Sequence, residues 1–509
     1  MKMKSLVFGG ILFSVICFVF PSKVYPITVN DFRVNVDTAM GIDQYYTDIA
    51  FDSSGNFVIV YTDRGVDHDF RKVFFQRFDS LANFLGEPVL VSDTTIHYND
   101  GPRIAMDSSG NFVLTWVCAK PGPDVDFIWD IYLRMYDSSG NPLGPARKVD
   151  VDRYDTLGIV DFDPEIAMNQ EGHFVVVWAS QEKGVGTMIF GQLFNSSGER
   201  IRNNFFMSDP NDCDYVISKF GTFPKVAYNS QGYFFVCWHG ILREVQYSPS
   251  WPMGRVYNSS GQPVTKIFLL FPAYAQWDYG NYPDVAPNSQ NNFVTAFSLN
   301  DTLWTYPNNA VGVCTFDTLG NPLTDVQIVN DVIDLGDIWW MSKVAVDDSD
   351  GYVVLWQDNR QGRNLWAQRF DSDNKLIGEN YRINMPPNSL GTPSGAGWNA
   401  FMYCLKIYRN TVGFAWVDFR NYTTYEEDVY AKLLDLDKIG FYYRGDVVLD
   451  GIVNIVDVVY LINYIFRSGW GVLPEWTGDT NADGQVSLAD VVYLINYLFK
   501  DGPSPQKSG

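Results

Sequence analysis

Near the C-terminus, Asp479, Asn481, Asp483, Gly484, Ser487 and Asp490 stand at positions 1, 3, 5, 6, 9 and 12 of one twelve-residue stretch. Oxygen-bearing side chains at alternate positions, with glycine at the sharp turn, are what a calcium loop requires, because the ion takes about six to eight oxygen ligands. The backbone carbonyl of Gln485 would serve position 7. The pattern also stands 33 residues earlier, as Asp446, Asp450, Gly451, Asn454 and Asp457, with the carbonyl of Ile452 at position 7. There position 3 is Val448, which offers no oxygen. Two calcium sites are expected, the first weaker than the second.

Each loop leads into apolar residues at helical spacing, such as Val491, Val492, Leu494, Ile495, Leu498 and Phe499. That stripe reads as the core between the two copies. Two tandem loops, each before one helix and each ending in Asp rather than the Glu of a standard EF-hand, resemble a dockerin type I module over residues 445–503. The resemblance implies association with extracellular carbohydrate breakdown and attachment to a cohesin through helix surfaces. Dockerins often carry polar residues at loop positions 10 and 11. Here these are Ile455/Val456 and Leu488/Ala489. The expected partner is therefore a cohesin-like protein of a different kind, or the contact is internal to the chain. A module this small has a small core, so its folding is expected to depend on the ion.

Other chemistry leaves little trace. No G-x-S-x-G, H-E-x-x-H or P-loop occurs. Carboxylates are plentiful, but no spacing singles out an opposed pair for glycoside hydrolysis. The D-S-S-G-N segments at Asp52, Asp107 and Asp137 read as hairpin turns rather than ion sites, because Asp starts such a turn and Gly ends it. Trp129, Trp251, Trp277, Trp304, Trp339, Trp340 and Trp398 fall in variable connections, with Asp124, Asp126, Asp130, Asp334 and Asp337. Indole faces beside carboxylates suit sugar rings. All of these Trp except Trp251 are taken as candidate ligand-binding residues. Asp358/Arg360 and Asp418/Arg420 recur from one repeat to the next and read as a scaffold tie.

The elements that position these groups come from a repeat. An Ile/Val-Ala pair, a polar turn and a β-rich run ending in an aromatic recur from Ile49, Ile104, Ile166, Val226, Val285 and Val344, at intervals of 55 to 62 residues. A worn seventh copy ends in GFAW at Trp416. A second polar turn and a short β segment complete each copy, giving four strands per repeat. Such a series predicts a mainly β fold, a seven-bladed β-propeller, with a small helical module after it. The last repeat lacks its fourth strand, and a lone strand-like segment, residues 32–37, precedes the first. The N-terminal segment is therefore expected to close the ring.

Of 509 residues, 37 are Lys or Arg and 59 are Asp or Glu, a net charge of −22. That balance argues against a nucleic-acid partner. Lys2, Lys4 and the apolar run Leu6–Phe20 read as a secretory signal. No later segment is long and apolar enough to span a bilayer, so no membrane span is expected in the mature chain. Cys118, Cys213, Cys237, Cys314 and Cys404 are odd in number and widely spaced, which argues against a disulfide framework.

The expected organisation is a signal at 1–26, the propeller at 27–440, the calcium module at 441–503 and a tail at 504–509. The expected function is a secreted, non-catalytic binding protein. Its propeller would take a polysaccharide or surface glycan, and its module would attach to a cohesin-like partner. The alternatives are a propeller glycoside hydrolase or lyase, and an envelope or matrix protein that binds another protein.

Overall fold

The computed structural model describes residues 29–505 except 36–42, 65–70, 93–97, 122–126, 152–158, 214–216, 243–249, 272–278, 301–309, 332–338, 359–363, 385–402, 419–426, 450 and 468–474. The expected signal, Trp277, Trp304, Trp398, Asp450 and the tail beyond residue 505 lie outside the described residues.

The chain is mainly β and forms a β-propeller. The first repeat shows how. Gln44–Phe51, Phe57–Asp63, Lys72–Phe78 and Val89–Leu90 pair in chain order as one antiparallel sheet. The first hairpin turns on Asp52, whose Oδ1 accepts the backbone N–H groups of Ser54 and Asn56 at 2.8 and 2.9 Å. Its Oδ2 accepts the Asn56 amide at 2.8 Å. Gly55 ends the turn at φ +84°, where an L side chain is strained. The carboxylates of Asp107 and Asp137 are used in the same way. These acids make turns, as their sequence context predicts.

The described strands form five hydrogen-bonded sheets, four of four strands and one of twelve. Seven separate blades are expected from the repeat, so the sheet count differs. The reason is local. Single parallel pairings, Trp129 with Val160 and Thr187 with Phe220, join the third strand of one repeat to the first of the next. The second, third and fourth repeats thereby run together. Val29–Arg33 pairs antiparallel with Asp428–Asp435, with Phe32 opposite Ala431. It forms the outer strand of the sheet built by the last repeat.

The aromatic that ends each β-rich run lies inside the repeat's second strand and is core. Trp116, Trp178, Trp238, Trp356 and Trp416 are among the largest fully buried side chains. The first strand of most repeats carries a β-bulge, with Tyr46, Asp163, Phe223 and Tyr282 at φ 44 to 53°. The extra residue breaks the strand's alternation and re-aims the side chains beyond it. Helices α1 (Ile455–Arg467) and α2 (Leu488–Phe499) follow the propeller and pack through Val458, Leu461, Val491 and Leu494. Among the described residues no helix is long and apolar enough to cross a membrane. Cys118, Cys213, Cys237, Cys314 and Cys404 are all free thiols.

Candidate functional site

In the second loop, Asp490 closes the structure on itself. Its Oδ2 accepts the Ser487 N–H at 2.8 Å and its Oδ1 accepts the Asn481 N–H at 3.2 Å. Ser487 in turn caps α2 through the Ala489 N–H at 3.1 Å. At the head of the loop, Asp479 accepts from Asp483 N–H at 2.9 Å and Gly484 N–H at 3.1 Å. Burial pushes the Asp479 carboxyl up. The Arg444 guanidinium at 2.8 Å and the two backbone donors outweigh that, and hold it below the ordinary range.

The first loop repeats this wiring. Asp446 accepts the Gly451 N–H at 2.7 Å. Asp457 accepts Val447 N–H at 2.9 Å through Oδ1 and Asn454 N–H at 2.8 Å through Oδ2. Val448, at the position where the second loop has Asn481, is buried in the core shared by the two helices. The first loop thus has an apolar core contact where the second has the Asn481 amide.

Among the described residues no three His, Cys, Asp or Glu side chains converge closely enough to hold an ion. The loop acids are turned onto backbone N–H groups instead. The donors of the second loop, Asp479, Asn481, Asp483, Ser487 and Asp490, are all oxygen and fit a hard cation such as calcium.

The first loop is also seated on the propeller. Leu449 is buried with Tyr381, Ile383, Leu436, Ile439 and Tyr442. Its carbonyl accepts the Tyr381 hydroxyl at 3.0 Å and the Lys432 ammonium at 3.2 Å. Lys438 donates to the Gly451 carbonyl at 3.2 Å. Gly451 stands at φ +77°, where an L side chain is strained, and a Cβ there would also push the Lys438 side chain aside. Sequence patterns gave no sign of these three contacts, because they join residues far apart in the chain.

The opposite faces of the helices are bare. Ile455, Val456, Val459 and Phe466 on α1, and Leu488, Val492 and Phe499 on α2, are exposed apolar side chains. Positions 10 and 11 of the first loop fall in this surface, and so does position 10 of the second.

The aromatic candidates do not assemble into one platform. Trp129 lies in the strand Ile128–Tyr136 rather than a loop, half-buried and edge-on to Tyr98 at 4.9 Å between ring centres. It packs there against the neighbouring buried core. Trp339 and Trp340 begin the strand Trp339–Val346. Trp251 is also a strand residue, buried against Phe271 at 5.1 Å. Asp130 is not a loop acid. It is 1% exposed and pairs with Lys120 at 3.1 Å and Lys148 at 2.8 Å. Asp124, Asp126, Asp334 and Asp337 lie outside the described residues. Asp358 and Asp418 accept the indole N–H of Trp356 and Trp416 at 3.1 and 2.8 Å. Arg360 and Arg420, their expected partners, lie outside the described residues.

Residues 444–499 match the family model of the dockerin type I domain. No curated protein matches the chain significantly. Among solved structures the chain is similar to a polysaccharide lyase, at 8% identity over 82% of this chain and 94% of that one, with a TM-score of 0.49. It is similar to an alpha-L-arabinanase of Penicillium chrysogenum at 10% identity, over 69% of this chain and 100% of that one, with a TM-score of 0.43. A Dyadobacter fermentans protein of unknown function is similar at 9% identity, over 80% and 98% of the two chains, with a TM-score of 0.45.

Proposed function

We propose that this is a secreted, non-catalytic binding protein. Its propeller takes a polysaccharide or surface glycan, and its C-terminal module attaches it, through calcium, to a cohesin-type partner. The observation that carries the reading is the bare apolar surface on α1 and α2. It lies on a module that matches the dockerin type I domain. An apolar face that a folded monomer leaves uncovered marks a binding surface. Ile455, Val456 and Leu488 give the contact an apolar character, so the partner should present a matching apolar face.

Calcium would be held in the second loop by Asp479, Asn481, Asp483, Ser487, Asp490 and the Gln485 carbonyl. The first loop would use Asp446, Asp450, Asn454, Asp457 and the Ile452 carbonyl, and bind more weakly for want of an oxygen at Val448. The ion supplies the rigidity that fixes both helix faces for docking. We read the twelve-stranded sheet as three repeats, which makes seven blades in all, with Val29–Arg33 as the closing strand. Secretion is supported by the Leu6–Phe20 run and by the dockerin match.

The test has two arms on the full chain. Binding to a panel of immobilised cohesins is measured with calcium and with a chelator. Depletion from solution by a panel of insoluble polysaccharides is measured alongside. Calcium-dependent retention by a cohesin and selective depletion by one glycan are expected. Retention that ignores the chelator would sink the docking reading, and no depletion by any glycan would sink the glycan reading.

A further inference from the structure

The innermost strands line an axial cavity of ≈ 60 Å³. In chain order, which is also the order in which these strands touch, Asp48, Glu165 and Asp284 alternate with Arg103, Lys225 and Lys343. Lys406 comes next and closes the circuit onto Asp48. The alternation therefore fails once, where Lys343 and Lys406 are neighbours of like charge.

The three acids are already engaged. Glu165 pairs with Arg103 at 3.3 Å and with Lys225. Asp48 accepts the N–H of Ile49 at 3.0 Å and of Ile104 at 3.1 Å. Asp284 accepts the Val344 N–H at 2.9 Å. Among the described residues, Lys343 and Lys406 make no ion pair or hydrogen bond. Lys343 is only 8% exposed. Burial first, and Lys225 second, push its ammonium down to about 8. Thr47 also lines the cavity, and it is 2% exposed with a hydroxyl that has no hydrogen-bond partner.

We propose that the axial cavity binds one small oxyanion, held by Lys343, Lys406 and the Thr47 hydroxyl. An oxyanion offers acceptors only, which suits two ammonium groups and one hydroxyl donor. It also sets negative charge beside Lys343 and Lys406, the one pair of like-charged neighbours in the circuit. At ~10–15 Å³ of such space per water, the cavity has room for about four to six waters and so admits one sulfate-sized group. Free sulfate and the sulfate ester of a glycan present the same chemistry. The inference does not rest on the glycan reading and stands or falls separately.

The experiment uses the full chain. Crystals soaked in selenate are examined for anomalous scattering, and sulfate binding is followed by calorimetry at constant ionic strength. The expected result is one selenate within hydrogen-bond reach of Lys343 and Lys406, with sulfate affinity at least tenfold weaker in Lys343→Met and in Lys406→Met. Lys406 is an exposed position, so its variant should fold even if Lys343→Met does not. A cavity without selenate, or sulfate binding that both variants leave unchanged, overturns the proposal. Displacement of selenate by a sulfated disaccharide identifies a glycan as the source. Displacement by inorganic sulfate alone identifies the free ion. Either result upholds the site.

Discussion

The Tyr381 hydroxyl, on the strand Leu376–Arg382, donates to the Leu449 carbonyl inside the first loop of the C-terminal module at 3.0 Å. The loop is therefore fixed to the propeller at its fourth position, while its third, Val448, is turned into the helical core. One side of the loop holds the module's interior together and the other holds the module to the ring.

Tyr381→Phe removes that donor and leaves Lys432 on the same carbonyl. The expected cost is about 1 kcal/mol, typical of one buried hydrogen bond. It should be local. Amide exchange in peptides covering residues 445–457 is expected to speed up, while the propeller's melting temperature holds. Exchange as slow as in the parent chain would mean that Lys432 and the apolar seat of Leu449 suffice to fix the loop.

Asp490→Ala removes position 12 of the second loop and the acceptor for Ser487 and Asn481. Calcium titration of this variant is expected to lose its tighter event, and helical circular dichroism should fall to the level of the chelated parent. The converse change, Val448→Asp, supplies the missing oxygen at a site that is 2% exposed. Burying a carboxylate there costs on the order of several kcal/mol unless an ion meets it. That variant should be less stable than the parent in chelator, and should recover most of the loss when calcium is added.

Glu165 sets an acid limit. Burial pushes its carboxyl up, but Lys225 and Arg103 outweigh burial and bring it down to about 2. The folded value lies below the unfolded one. The stabilisation is therefore present above about pH 4.5 and is lost as pH falls toward 2. The shift corresponds to roughly 3 kcal/mol. Asp163 works in the opposite sense. Burial raises it to about 6, so its ionisation costs stability as pH rises from about 4 through 6. Thermal melts of the parent and Glu165→Gln from pH 6 to pH 2.5 separate the two. Only the low-pH loss should be absent in the variant, and parallel curves would refute the assignment.

Val456→Lys and Val459→Lys place charge on positions 43% and 51% exposed. Stability should change by less than about 0.5 kcal/mol. Binding of a hydrophobic dye should drop, and so should retention on whichever cohesin holds the parent chain. Dye binding that is unaffected would place the apolar binding surface elsewhere.

Much of this was legible in the residues. The Ile/Val-Ala heads and the aromatic ends of the runs mark the innermost strands and the buried core, because both are periodic. The D-x-N-x-D-G spacing marks the second loop for the same reason. What escaped the sequence depends on distance. Asp358 and Asp418, which look like partners for arginine two residues on, also accept indoles two residues back. Residues two apart in a strand share a face, which sets Trp356 and Trp416 beside them. Trp129 falls in a variable connection of the repeat by its place in the sequence, but it lies within the strand Ile128–Tyr136. The axial circuit was invisible because its members stand about sixty residues apart, each just before or within an apolar head where a lone charge draws no notice.

The pairing of Phe32 with Ala431 sets a timetable for making the protein. Among the described strands, Val29–Arg33 leaves the ribosome first and its partner Asp428–Asp435 comes last. At roughly 5–20 residues per second, the interval is on the order of a minute. Throughout that time Val29–Arg33 has no strand to join, and the edge it will cover does not yet exist. An unpaired β edge invites pairing with another chain. Keeping this segment short, with Asp31 and Arg33 within it, limits the hazard during the wait.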